Sequence, residues 1–105
     1  MSAATIALLN DLARVTLTDC RVVITAGIAA LDDLDAIMAE VSAFTDFKER
    51  NDPYGEHDFG VVQHGDNTVF WKIDCYDLDL CMASPDPADP TVTARVLTVM
   101  LAEEY

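Results

Sequence analysis

His57 stands between two carboxylates, Glu56 and Asp58, and Asn51 and Asp52 lie just upstream in the same polar stretch. Imidazole titrates near neutrality and a neighbouring carboxylate fixes its tautomer, so the group has the makings of a general base or of a metal ligand with its orienting partner. Asp74 and Asp77 could add oxygen ligands suited to Mg²⁺. On this reading a small metal-dependent hydrolase or nucleotide-processing enzyme would use His57, Asp58, Asp74 and Asp77. The spacing matches no standard ligand signature, however, and a loop histidine flanked by acids is more often a hydrogen-bonded staple than a catalyst. Lys72 beside Asp74 reads equally as a surface ion pair of little energy.

The other reactive types point to packing. Cys20, Cys75 and Cys81 are odd in number, form no C-x-x-C pair and sit in apolar runs. Small buried hydrophobes are the expected role, ahead of a nucleophile, a zinc site or a disulfide framework. Trp71 with Phe59, Phe70 and Tyr76 could stack bases, but such platforms come with a positive groove, and the chain has only six basic residues. Core packing is the better expectation. Neither a G-x-x-x-x-G-K-[ST] nor a G-x-G-x-x-G phosphate cradle is present. No cofactor is expected.

The elements that must position these residues follow from periodicity. Ser2 to Leu17 puts Ile6, Leu9, Leu12 and Ala13 on one face, with Ser2 as N-cap, and predicts an amphipathic helix. Cys20 to Ala26 is a β-branched run expected to be a central strand buried on both faces. From Leu31 to Phe44 the apolar positions recur every three or four residues and predict a second helix. Thr45 to Asp58, with Pro53, Gly55 and no period, reads as an exposed loop.

Phe59 to Tyr76 contains two extended segments around a Gly/Asp/Asn turn, a hairpin whose second arm aims Val69, Trp71, Ile73 and Cys75 one way and Phe70, Lys72, Asp74 and Tyr76 the other. A third arm is expected from Asp79 to Ala83. After the proline-stiffened SPDPADP, a buried final helix is expected from Thr91 to Tyr105, with Pro90 in its first turn and Asp89 as N-cap. The order α-β-α-β-β-β-α predicts one α+β domain over residues 1–105. It would hold a mostly antiparallel sheet of about four strands and three helices.

Charge narrows the function classes. The 105 residues carry nineteen acids against six basic side chains, a net charge of -13, and 51% are hydrophobic. Such a chain can bury a core, but it repels a phosphate backbone and attracts basic protein surfaces. Direct nucleic-acid binding is thereby disfavoured. No run of eighteen apolar residues and no signal-peptide pattern is visible, so a cytoplasmic protein without membrane contact is expected. A dimer is among the oligomeric states left open.

The motifs NDPYGEHDFG (Asn51 to Gly60), WKIDCYD (Trp71 to Asp77), SPDPADP (Ser84 to Pro90) and T-x-R-V-L-T-x-M-L-A-E-E-Y from Thr93 resemble a family of short bacterial proteins. That family is catalogued as a domain of unknown function and is frequent in alphaproteobacteria and on mobile elements. The resemblance implies no particular chemistry; a mobile-element setting implies an accessory role in conflict between phage, plasmid and host.

Eleven of the nineteen acids lie between Asp46 and Asp89. Solubility or salt adaptation would also give an acidic chain rich in Asp and poor in Lys, and an ordinary structural or dimerisation module is a further alternative. The clustering instead predicts a nucleic-acid mimic that inhibits a host defence protein, such as a CRISPR surveillance complex or a restriction nuclease. Asp46, Glu49, Asp52, Glu56, Asp58, Asp66, Asp74, Asp77, Asp79, Asp86 and Asp89 would face the basic channel, with Tyr54 as an aromatic anchor. On this expectation the protein is not an enzyme.

Overall fold

A computed structural model describes residues 2–105. Its chain order is α1 (Ala3–Thr16), β1 (Cys20–Ile24), α2 (Ala26–Ala30), α3 (Leu34–Ala43), β2 (Phe59–His64), β3 (Asn67–Tyr76) and β4 (Ala94–Leu101), with single 3₁₀ turns at Pro90–Val92 and Ala102–Glu104. The expected α+β class, with three helices and a four-stranded sheet, is the fold found. The sheet is mixed: in the order β1-β4-β3-β2, β1 runs parallel to β4 and the other neighbours are antiparallel.

Ser2 caps α1 as expected, accepting a hydrogen bond from Thr5 N at 3.3 Å. The hairpin also forms where the turn signal placed it. β2 and β3 are joined through Gly65 and Asp66, and Gly65 has φ +60°, the left-handed backbone that a tight two-residue hairpin loop needs at its first position. Alternation along β3 puts Val69, Trp71 and Ile73 into the core, where they meet Ile28 of α2, Ile37 and Val41 of α3, and Leu97 and Val99 of β4. Gly60 is obligatory in this packing, because the indole of its cross-strand partner Trp71 occupies the space a Cβ would take.

Four local expectations are corrected. The segment expected as a final helix, Thr91 to Tyr105, supplies β4. Its run ARVLTVML is apolar on both parities, a pattern shared by buried helices and central strands, and Val96, Thr98 and Val99 are β-branched; hydrogen bonding to β1 on one side and β3 on the other decides for a strand. Pro90 and Asp89 do take the cap positions foreseen, but for one 3₁₀ turn, with Asp89 accepting from Thr91 N at 2.9 Å.

β1 is consequently an edge strand, with Val22 and Val23 partly exposed. The third arm at Asp79 to Ala83 is a turn with one bridge, Tyr76 to Ala83, because Asp77 Oδ1 takes the Cys81 and Met82 amides at 3.0 and 3.4 Å. The helix expected from Leu31 is broken at Asp32, whose φ of +55° separates α2 from α3. No helix among the described residues is long and apolar enough to cross a membrane.

Candidate functional site

The long loop between α3 and β2 is organised from below by Asp52, only 8% exposed. Its Oδ1 accepts the amides of Glu56 and His57 at 3.2 and 3.1 Å, and its Oδ2 lies 3.6 Å from His57 Nε2. On the other side of the ring, Nδ1 is 3.0 and 3.1 Å from the two carboxylate oxygens of Asp11 on α1. The imidazole stacks on Phe47, with centroids 3.8 Å apart and planes 2° from parallel. His57 itself has φ +55°, a conformation these contacts hold in place. Each ring nitrogen therefore faces a carboxylate, and this geometry is that of a staple between loop and helix.

The helix α1 extends the network inward. Asn10 and Arg14, one turn apart on the stripe that also buries Ile6, Ala7 and Ala13, are 1% and 2% exposed. Arg14 pairs with Asp11 at 3.0 Å and donates from Nη1 to the carbonyls of Val41 and Ser42 at 2.8 and 3.0 Å. Its guanidinium lies 4.9 Å from the Trp71 ring and 5.5 Å from that of Phe47, a cation–π setting. Asn10 donates to Glu56 O at 2.9 Å and accepts from Arg95 Nε at 2.7 Å. Arg95, 5% exposed, also donates to Pro87 O, so one asparagine links the acidic loop, the proline segment and β4.

The candidates named from sequence come together only in part, Asp58 lying near Asp74. Asp74 pairs with Lys72 at 2.9 Å, and Asp77 closes its own turn. Asp58 is separate from the imidazole contacts; burial pushes its carboxyl above the ordinary range, and the nearby Asp52 and Asp74 add to the shift. Glu56 is raised likewise, by burial first and then by Asp58 and Asp52. Among the described residues, no three His, Cys, Asp or Glu side chains are grouped to hold a metal ion.

Burial raises the thiols of Cys20 and Cys75, which fits their reading as small hydrophobes, whereas Cys81 is exposed on the turn and does not fit it. Trp71 is fully buried and so offers no platform for bases. Phe59 and Phe70 pack edge-to-face on the opposite side of the sheet, with Tyr105 beside them.

The acids expected to meet a partner fall into three kinds. Asp46, Glu49, Asp66 and Asp79 are exposed, and Tyr54 is 80% exposed. Glu56, Asp58, Asp74, Asp77, Asp86 and Asp89 are half-buried, and Asp77, Asp86 and Asp89 each accept a backbone amide within their own turns. Asp52 is buried and spoken for, which removes it from any contact surface.

Sequence reasoning did not find Asn10, Asp11, Arg14 or Arg95. One signal existed: Asn10 and Arg14 are polar residues at helical i, i+4 spacing inside an apolar stripe. It also missed His64, whose Nδ1 lies 2.7 Å from Glu40 and whose Nε2 lies 2.5 Å from Asp33, contacts that raise its pKa, Glu40 contributing most.

No curated protein and no solved structure matches the chain. A family model described as a protein of unknown function (DUF3768) matches residues 24–104, leaving α1 and most of β1 outside the matched span. The chain belongs to that family.

Proposed function

We propose that this member of a family without assigned chemistry is an acidic binding protein that imitates nucleic acid and occupies the basic channel of a protein such as a CRISPR surveillance complex or a restriction nuclease. The observation that supports the reading is where the charges go. Two of the six basic side chains, Arg14 and Arg95, are turned into the interior, while Lys48 and Lys72 are paired with Asp46 and Asp74. The outer surface is therefore more negative than composition alone requires.

The crowding of Glu56 and Asp58 among other carboxylates adds repulsion that a cationic partner would relieve. Rigid backbone anchoring of Asp77, Asp86 and Asp89 suits a surface of fixed charges, since little side-chain entropy is lost on contact. A mobile-element setting, as the motif resemblance implies, agrees with an inhibitor's role.

The test is affinity capture of a basic partner from host lysate, followed by binding measured from low to near-molar salt. Charge-dominated association weakens steeply as the Debye length shrinks to about 3 Å at molar salt. Neutralising the exposed Glu49, Asp66 and Asp79 together should abolish binding with the fold intact, and neutralising the exposed Asp32, Asp35 and Glu103 should not. Affinity that ignores salt, or equal losses in both sets, would rule the reading out.

A further inference from the structure

Between the last turns of α1, the start of β1 and the turn leading into β4 lies a cavity of about 550 Å³. Spaces of this size hold small organic ligands. Leu9, Leu12 and Ala13 form an apolar part of its wall, and Asp19, Thr91 and Arg95 line it as well.

Arg95 is the unusual member. It is 5% exposed, and its guanidinium keeps its proton in any folded protein. Both of its acceptors, Asn10 Oδ1 and Pro87 O, are neutral, at 2.7 and 2.5 Å. Nineteen acids are available in the chain, yet among the described residues none forms an ion pair with Arg95. Its Nη1 is not sealed off from solvent and has no protein acceptor among those residues. A buried cation without a counter-charge is costly, and such groups are normally paired or meet a ligand.

The threonine hydroxyls around the cavity are already committed, and this narrows the ligand. Thr16 donates to Leu12 O at 2.6 Å and Thr18 lies 2.7 Å from Thr16 Oγ1; Thr91 donates to Asp89 at 2.6 Å and Thr93 to the carbonyls of Asp86 and Asp89 at 3.0 and 2.9 Å. One guanidinium edge is therefore the anion-binding element. A phosphate, which wants several donors and carries more charge, would meet only that edge, with the Asp19 carboxylate also in the wall.

We infer that this cavity binds a small monocarboxylate with an apolar body, its carboxylate pairing with Arg95 and its body covering Leu9, Leu12 and Ala13. The inference is independent of what the acidic surface binds. It gives Arg95 the counter-charge that the chain withholds, and it buries apolar wall that otherwise faces solvent.

The test uses the full chain, isotopically labelled, with the Arg95 Nε–Hε and the Ala13 and Thr91 amides followed by two-dimensional NMR. The probes are isocaproate, its uncharged amide and inorganic phosphate, each raised to tens of millimolar. Isocaproate should shift all three signals in a saturable way, the amide should bind about tenfold or more weakly because the charge-assisted pair is lost, and phosphate should leave them in place. Leu12→Trp fills the cavity from a half-exposed position without touching the core, so it should remove binding while the spectrum stays folded. Arg95→Lys should weaken isocaproate about tenfold and leave the amide unchanged. Equal binding of acid and amide, phosphate binding as well as the acid, no response to isocaproate, or undiminished binding by the Leu12→Trp variant would each overturn the assignment.

Discussion

Arg14 and Arg95 are both buried on the α1 side of the sheet, and their charges are met in different ways. Arg14 meets a carboxylate, two carbonyl oxygens and two aromatic faces. Arg95 meets an amide oxygen and a carbonyl, and then opens on a cavity. Burial alone therefore says little about a charge; its counter-charge says more. Where the chain supplies that counter-charge, as Asp11 does for Arg14, the group is a brace. Where the chain withholds it from nineteen available acids, the site is open to an outside anion.

That contrast is most directly broken at Arg14. Arg14→Ala strands Asp11 against His57, frees the carbonyls of Val41 and Ser42 and leaves a void under Trp71. It should cost about 3 kcal/mol in denaturant unfolding. Gly60→Ala pushes the indole that carries Arg14's guanidinium, and overpacking there should cost about 2 kcal/mol by the same measurement.

Arg95→Met keeps much of the volume and strands no carboxylate, so the loss should be smaller, about 1 kcal/mol, mainly from Asn10 Oδ1 and Pro87 O. A loss at Arg95 as large as that at Arg14 would erase the distinction between brace and open site.

The histidines sharpen the comparison through pH. The carboxylates of Glu40 and Asp33 raise the pKa of His64, so the folded state holds its proton more tightly than the unfolded chain. The stabilisation is complete below the ordinary imidazole value of about 6.5 and is lost as pH rises through the raised one. The stability difference between parent and His64→Gln should therefore shrink with rising pH in urea titrations. A difference constant across that window would show that no proton is involved.

The smallest effect should come from Asp58. Its raised carboxyl costs nothing in acid, where it is protonated in both states, and the penalty appears as pH rises through the ordinary and then the folded value. Asp58→Asn should thus stabilise the protein at neutral pH by about 0.5 kcal/mol or less, allowing for solvent screening, and the gain should vanish in acid. A gain that persists below the carboxylate range would point to packing instead of charge.

Some local features are legible in the chain, though not the break at Asp32 or the turn closed by Asp77. The cap at Ser2, the turn at Gly65, the alternation of Val69, Trp71 and Ile73, and the acid-rich stretch from Asp46 to Asp89 all depend on neighbours within a few residues. Ala94–Leu101 could not be settled that way, since an apolar run without a clear period is stable as helix or strand, and only its pairing with β1 and β3 chooses. The edge position of Cys20–Ile24 is hidden for the same reason, because the chain does not say which strand lies at the edge. The site was less legible still. Its motif residue His57 was visible, but Asp11 comes from 46 positions away in sequence, and Arg95 reaches Asn10 across 85. Sequence determined composition, local caps and turns, and the surplus of negative charge; tertiary structure decided which two of the basic residues went inside, and which of them was left without a carboxylate, because charge compensation depends on distance in space and not along the chain.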